Sequence, residues 1–262
     1  MSPLSTKISY IIICMNMKIK TVLLMLACVL FSLTTFGGNV ADNEAAREAP
    51  VDEDEISLTY ILPSPSTDGD LSVESALENR RSQRDFQDKA LSVDQLSQIL
   101  WAAYGITSPR PDAPNMRGGL RTSPSAGALY PLEVYAIVGN VDGIEPGAYK
   151  YISEEHKIIM VAGGDVRDSL AGAALRQNMI SEAPAAIFYS AVFSRTTERY
   201  GERGRSFVFI ELGHSAQNVY LQAEALQLGT CAIGTVTESA RDVLNLPEEE
   251  EPLYILPIGY FK

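Results

Sequence analysis

SFVFIELGHSAQNVYLQAEALQLG, running from Ser206 to Gly229, contains no proline and keeps a helical period throughout. Along it Leu212, Ala216, Val219, Ala223 and Leu226 trace one side, while Ile210, Gly213, Gln217, Tyr220 and Glu224 trace another. Apolar positions on more than one side predict a central, largely buried helix over 206–228, ended by Gly229 as its C-cap. Thr230–Ile233 and Leu253–Ile258 follow it as strands, and Glu133–Val138, Ile158–Val161 and Ala185–Ala191 precede it with the same β-branched and aromatic character. Further upstream, Ser72 caps a short helix over Val73–Asn79. Ser92 opens another to Tyr104, in which Val93, Leu96, Leu100 and Ala103 form one buried stripe before Gly105. Thr107–Arg121, with three prolines and two glycines, reads as loop, and Asn140–Gly147 as a turn. Strands separated by helices make this an α+β or mixed α/β layered protein.

The 262 residues are 46% apolar and 21% charged, which suits a globular core. A formal charge of -12 excludes a broad nucleic-acid footprint, because displacing counterions from phosphates needs clustered Lys and Arg. Lys18 and Lys20 stand before an apolar run from Val22 to Leu33, the layout of a secretory signal peptide over 1–37 with cleavage after Gly37. An uncleaved membrane anchor is the alternative; either places the protein in the periplasm or facing outside the cell. Asp42, Glu44, Glu48 and Asp52 to Glu55 crowd with only Arg47 to balance them, and Pro63, Pro65 and Gly69 follow. Residues 38–70 therefore read as an acidic, flexible linker, leaving 71–262 as the folded domain. Cys14 and Cys28 fall in the leader, so Cys231 has no partner for a disulfide after processing.

Three polar segments stand out in the domain. Arg80-Arg81-Ser82-Gln83-Arg84 places three guanidiniums and a hydroxyl within five residues, a candidate phosphate clamp or a solvated helix end. Ser123-Pro124-Ser125-Ala126-Gly127-Ala128-Leu129-Tyr130-Pro131 lets backbone approach a flat ligand, or is an ordinary turn. Gly229-Thr230-Cys231-Ala232-Ile233-Gly234 is small-rich for the same reason or for tight core packing. His156 lies in what reads as a surface turn, and His214 in the long helix reads as a hydrogen-bonding residue rather than a metal ligand. No G-x-S-x-G elbow, H-E-x-x-H or P-loop occurs. The reactive group of an enzyme built this way belongs to a cofactor.

Arg80-Arg81-Ser82-x-Arg84-x-Phe86, Ser125-Ala126-Gly127-x-Leu129-Tyr130-Pro131-x-Glu133, Glu211-x-Gly213-His214-x-x-Gln217-Asn218, Leu228-Gly229-x-Cys231-x-Ile233-Gly234 and Leu256-Pro257-Ile258-Gly259 occur in that order. Together they resemble the FMN-dependent nitroreductase superfamily, and within it the branch of SagB-type azoline dehydrogenases. The resemblance implies an α+β nitroreductase-like fold with a central mixed or antiparallel sheet flanked by helices and one long central helix. It implies FMN, with Arg80, Arg81, Ser82 and Arg84 at its phosphate, ribityl chain and pyrimidine edge. Ser123, Pro124 and Ser125 would line the isoalloxazine, with Ile233 and Gly234 on its other side, and Gln217 or Asn218 shaping the pocket. Many relatives continue with basic residues beyond the point where this chain reaches Lys262, which could take their place.

The implied reaction moves hydride through flavin N5 to or from a small organic substrate, with NAD(P)H as one reductant and Arg81 favouring the reduced, anionic flavin. Homodimers with flavin at the subunit interface are the usual assembly of such proteins. Azoline dehydrogenases carry a Lys-Tyr pair before the long helix, whereas this chain has Arg199-Tyr200. Tyr200 remains an acid or substrate contact, but arginine stays protonated and is a poor base. A small-molecule reductase or dehydrogenase is therefore expected first. A peptide azoline dehydrogenase and a non-catalytic flavin-binding module are the alternatives. An exported enzyme would meet little NAD(P)H, so a membrane or protein electron donor is a further expected partner.

Overall fold

Leu132–Val138, here β4, is buried at every position. The computed structural model, which describes residues 58–113 and 116–262, shows why. Leu132, Val134, Ala136 and Val138 belong to one hydrophobic core, and Tyr135 and Ile137 to a second. Successive side chains on a strand point to opposite faces, so a strand covered on both sides is apolar throughout. Ala185–Ala191 (β7) follows the same rule: Ile187 and Tyr189 face the first core, Ala186 and Phe188 the second.

These two strands are the middle of a seven-stranded sheet in the order β1 (Thr59–Ile61), β6 (Lys157–Gly163), β5 (Gly147–Ile152), β4, β7, β9 (Glu251–Gly259), β8 (Gly229–Thr230). Every pairing is antiparallel. On the first face lie α2 (Val93–Tyr104) and α6 (Arg203–Ala225), supplying Leu96, Ile99, Leu100, Val208, Leu212 and Val219 to the core. On the second lie α3 (Arg167–Ala173), α4 (Met179–Glu182) and α7 (Ser239–Val243), through Leu170, Ile180 and Ala240. Two further helices, α1 (Val73–Asn79) and α5 (Ser194–Tyr200), pack on α6. This is the helix-flanked antiparallel sheet with one long helix that the α+β reading expects.

Local chemistry sets the helix starts. Ser72 Oγ accepts the N–H of Ser75, and Ser92 with Gln95 forms a reciprocal capping box. The long helix differs from expectation in three ways. It begins at Arg203, it ends at Ala225, and Gln227 rather than Gly229 takes the left-handed turn, with φ 56°. Gly229 instead opens β8, where a Cβ would lie 2.7 Å from that of Gln83. Nor is α6 buried all round, since Phe209 and Ile210 are 49% and 54% exposed. The expected loop over 107–121 holds a small hairpin, β2 (Ile106–Pro109) with β3 (Gly119–Arg121).

The signal-peptide expectation over 1–37 and the acidic run of the linker lie outside the described residues. The described end of that linker, expected as flexible, is folded. Thr59–Ile61 pairs with β6, and Leu62 is buried in the first core. Ser66 and the Gln98 side chain on α2 exchange two hydrogen bonds. Tyr60, Ile61 and Leu62 are good strand formers, and the acidic crowding has ended before them. His156 is likewise more than a turn residue. Its Nε2 donates to the Pro63 carbonyl at 2.9 Å and its Nδ1 meets Tyr151 Oη at 2.8 Å, so it pins the same segment.

Leu100 has no exposed surface and sits where α2 meets the sheet and α6. Leu100→Ala is expected to cost about 2–5 kcal/mol of unfolding free energy, read from the midpoint of a urea titration. A loss below about 0.5 kcal/mol would remove α2 from the core.

Candidate functional site

The backbone leaves α1 at Arg80, the C-cap, and runs extended along β8. Ser82 forms a parallel bridge with Thr230, and the Gln83 N–H donates to the Thr230 carbonyl at 2.9 Å. The arginine-rich segment thus begins as the end of α1 and continues as a sheet margin. Ser82 Oγ lies 3.1 Å from the Tyr220 hydroxyl, and the Arg80 guanidinium lies 5.2 Å from the centre of that ring. Tyr220 Oη also accepts the N–H of Ala232 at 2.8 Å, which leaves its own proton for Ser82. Arg81 Nη1 donates to the carbonyls of Glu78 and Arg80, answering acceptors left open where α1 stops. The side chains of Arg80 and Arg84 donate no hydrogen bond to any described residue, and no described carboxylate pairs with any of the three arginines.

The neighbours of this margin follow from sheet pairing. Ile233 is buried and bridges Ile255, whereas Gly234 is exposed beside Tyr254. The Lys262 N–H donates to the Asp85 carbonyl at 3.1 Å, so the chain end lies next to the arginines. Thr230 Oγ1 is buried without a hydrogen-bond partner.

A second group forms around the Ser123 segment. Ser123 is buried, its hydroxyl donating to the Ala103 carbonyl, and Pro124 is exposed. Asn218 Nδ2, from α6, reaches the Thr122 carbonyl at 3.1 Å and Ser123 Oγ at 3.2 Å. Ser125 Oγ accepts the Tyr130 N–H at 2.9 Å and closes a turn in which Gly127, Ala128 and Tyr130 have φ of 64°, 54° and 47°. Left-handed backbone costs a non-glycine residue about 1–2 kcal/mol, so this turn is held by its surroundings. A Cβ at Gly127 would lie 2.8 Å from Tyr200 Oη and 2.9 Å from Arg199 Nη1. The last residues of α5 therefore lean on the turn. Gln217 is half-buried nearby on α6, and His214 is on that helix's exposed face.

Beneath the turn lies Glu211, 2% exposed, which accepts from Tyr104 Oη at 2.5 Å and bonds Ser125. Burial pushes its carboxyl up to about 7, against the opposing pull of those hydrogen bonds and of Arg121 and Arg117. A cavity of about 320 Å³ opens beside the group, with Trp101, Thr122, Asn218 and Leu221 among its walls.

The sequence-derived residues thus fall into two groups. Arg80 to Arg84, Ile233, Gly234 and Lys262 form one; Ser123 to Ser125, Asn218, Arg199 and Tyr200 form the other. No hydrogen bond among the described residues joins them directly, and α6 spans them through Asn218 and Tyr220. Tyr220, Thr230, Glu211 and Tyr104 are absent from the sequence-derived set. Glu211 opens the Glu211-x-Gly213-His214-x-x-Gln217-Asn218 motif, which was the available signal for it; Tyr220 offered none beyond its place two residues from Asn218. Chemically, the first group gathers guanidiniums free of described carboxylates, and the second presents amides and hydroxyls beside a tyrosine and an arginine.

Comparison with known proteins gives a consistent picture. The sequence profile of the Nitroreductase family matches residues 77–260. A protein of Methanocaldococcus jannaschii that carries a nitroreductase name is 43% identical over 191 residues, covering 72% of this chain and 91% of that protein. A trifolitoxin-processing protein of Rhizobium leguminosarum bv. trifolii is 32% identical over 129 residues, 47% of this chain and 35% of its own length. A crystal structure from Ralstonia eutropha, also named as a nitroreductase, superposes with a TM-score of 0.66 at 27% identity, covering 78% of this chain and 90% of that one.

Because the folded state raises the Glu211 carboxyl, it favours the protonated form. The resulting stabilisation is complete below the unfolded value near about 4.3 and is lost as pH rises through about 7. Relative to Glu211→Gln, which stays neutral, the wild-type chain should lose about 2–3 kcal/mol of unfolding free energy between roughly pH 5 and 8. Urea titrations of both proteins across that range test this, and parallel curves would refute it.

Proposed function

The chain belongs to the nitroreductase family, and from that premise we propose that this oxidoreductase uses FMN to move hydride to or from a small organic molecule. The observation that carries the cofactor is the margin at 80–84. Its guanidiniums meet no described carboxylate, and it runs beside a buried threonine hydroxyl that lacks a partner. The unpartnered hydroxyl fits a phosphorylated group, while Arg81 also bonds the carbonyls at the end of α1. Arg80, Arg84 and Ser82 would hold the phosphate and ribityl chain, with Lys262 beside them, and Arg81 would face the pyrimidine edge. Ser123, Pro124 and Ser125 would line one side of the ring, and Ile233 with Gly234 the other, while Asn218 and Gln217 shape the pocket. When bound, FMN supplies the hydride acceptor and donor. Tyr200, set against Gly127, would hold or deliver a proton at its hydroxyl, and Arg199 would keep that edge positive.

A homodimer is part of the same reading. Phe209 and Ile210 on α6 and Val73 and Leu77 on α1 are exposed apolar side chains, which supports pairing of two chains. The basic and apolar start of the sequence supports export, with NAD(P)H or a membrane or protein carrier as electron donor. Similarity to a trifolitoxin-processing protein favours a second reading, oxidation of azolines in a peptide; Arg199 in place of the lysine base weighs against it.

Full-length protein should purify yellow and bind FMN. Replacing Arg80 and Arg84 with Ala should weaken FMN binding at least about tenfold for each charge-assisted hydrogen bond removed. Anaerobic reduction monitored with NADH, NADPH and an azoline peptide distinguishes the donors. A folded protein that stays colourless and takes up no FMN at micromolar concentration would end the flavin assignment.

A further inference from the structure

On the sheet side of Tyr104, away from the arginine-rich margin, β4, β5 and α5 enclose a cavity of about 180 Å³. Its walls carry Arg117, Arg121, Lys150 and Arg195 against only two carboxylates, Glu133 and Glu154. In a chain with a formal charge of -12 this is a concentrated positive site. Glu133 is 5% exposed and is shared by three of the cations: Arg195 at 2.5 Å, Arg117 at 2.8 Å and Lys150 at 3.3 Å. Burial pushes its carboxyl up, yet those three cations outweigh burial and hold it below its ordinary value.

One shared carboxylate does not use all the donors around it. The Arg195 side chain makes its hydrogen bonds to described residues through Nη1 alone, to Glu133 and the Tyr130 carbonyl. Lys150 reaches two carboxylates, Glu133 and Glu250. Arg121 is the clearest case. Its side chain is 1% exposed and its Nε–H has no partner, while Nη1 and Nη2 reach Tyr104, Ser153, Arg117 and Glu154. A buried guanidinium N–H left unbonded is unfavourable unless something accepts from it.

We propose that this cavity binds a small oxyanion, a phosphate- or carboxylate-type ligand that accepts from Arg121, Arg195 and Lys150. The volume is below the roughly 300–1,000 Å³ typical of sites for larger organic ligands, which excludes a nucleotide. A guanidinium fork matches two oxygens of either ligand type. The site does not depend on the flavin reading. It does connect to the turn, because Arg117 and Arg195 both donate to the Tyr130 carbonyl, at 2.6 and 3.4 Å. An anion held by Arg195 would tie α5, the helix of Arg199 and Tyr200, to the β4–β5 hairpin.

Isothermal titration calorimetry of the full-length protein with inorganic phosphate, then with acetate, at constant ionic strength, tests the proposal. The tighter of the two names the ligand type. Arg195→Gln leaves Glu133 with Arg117 and Lys150, so the variant should fold and bind the anion at least about tenfold more weakly. Lys150→Gln, the second variant, leaves Glu133 with Arg117 and Arg195 and should behave alike, whereas Arg80→Gln should bind as the wild type does. Failure of the wild-type chain to bind either anion overturns the proposal. So does a weakening in Arg80→Gln as large as that in Arg195→Gln, which would place the anion at the margin near β8 instead.

Discussion

Four polar side chains of α6, Glu211, Ser215, Asn218 and Tyr220, are turned toward the protein, and each has to be hydrogen-bonded there. An unpaired polar group in a low-dielectric interior costs more than a bond there returns, so their partners are fixed as firmly as an apolar contact would be. Glu211 takes Tyr104 and Ser125, Ser215 takes the Ala103 carbonyl and Tyr189, Asn218 takes Thr122 and Ser123, and Tyr220 takes Ser82 and Ala232. One helix therefore sets the positions of α2, β7, the Ser123 turn and the arginine margin relative to one another. The apolar residues between them, Leu212, Ala216, Val219 and Ala223, give the burial that holds the helix in place.

The sheet is the other half of this arrangement. Covered on both faces, β4 and β7 leave no room for polar side chains except where these are paired, as Glu133 and Ser190 are. Tyr135 and Ser190 both donate to Glu250, which Lys150 also meets. Charge inside this protein gathers at one end of these strands, where Arg117 and Arg195 reach both Glu133 and the Tyr130 carbonyl of the turn. Buried ion networks of this kind add little net stability, because taking the charges out of water offsets their attraction.

Where physical signals are local, they were legible in the sequence. Ser72 and Ser92 mark helix starts by capping, and β4 and β7 show themselves through short runs such as Val134-Tyr135 and Ile187-Phe188-Tyr189. The order of the arginine, turn and glycine segments gave the fold and the residues to inspect. What escaped was set by tertiary contact. The helices α3, α4, α5 and α7 span four to seven residues, too few to show a period. Strand β5 begins with Gly147, which reads as a turn but is glycine because the Ala162 carbonyl would lie 2.7 Å from a Cβ. The separation of the site residues into two groups depends on which way Asn218 and Tyr220 point, and sequence spacing alone did not give that.

The short strand Thr59–Ile61 has a bearing on how the protein behaves in concentrated solution. It caps the outer side of β6, whose amides and carbonyls would otherwise form an open border. Bare borders of this kind template association with neighbouring molecules. A version of the chain trimmed back to Leu71, where the acidic stretch was expected to give way to the domain, would uncover that border and with it Tyr149 and Ile158. Solubility of the whole would then rest on three residues far from any chemistry, which ties the choice of where to cut the chain to the architecture of its sheet.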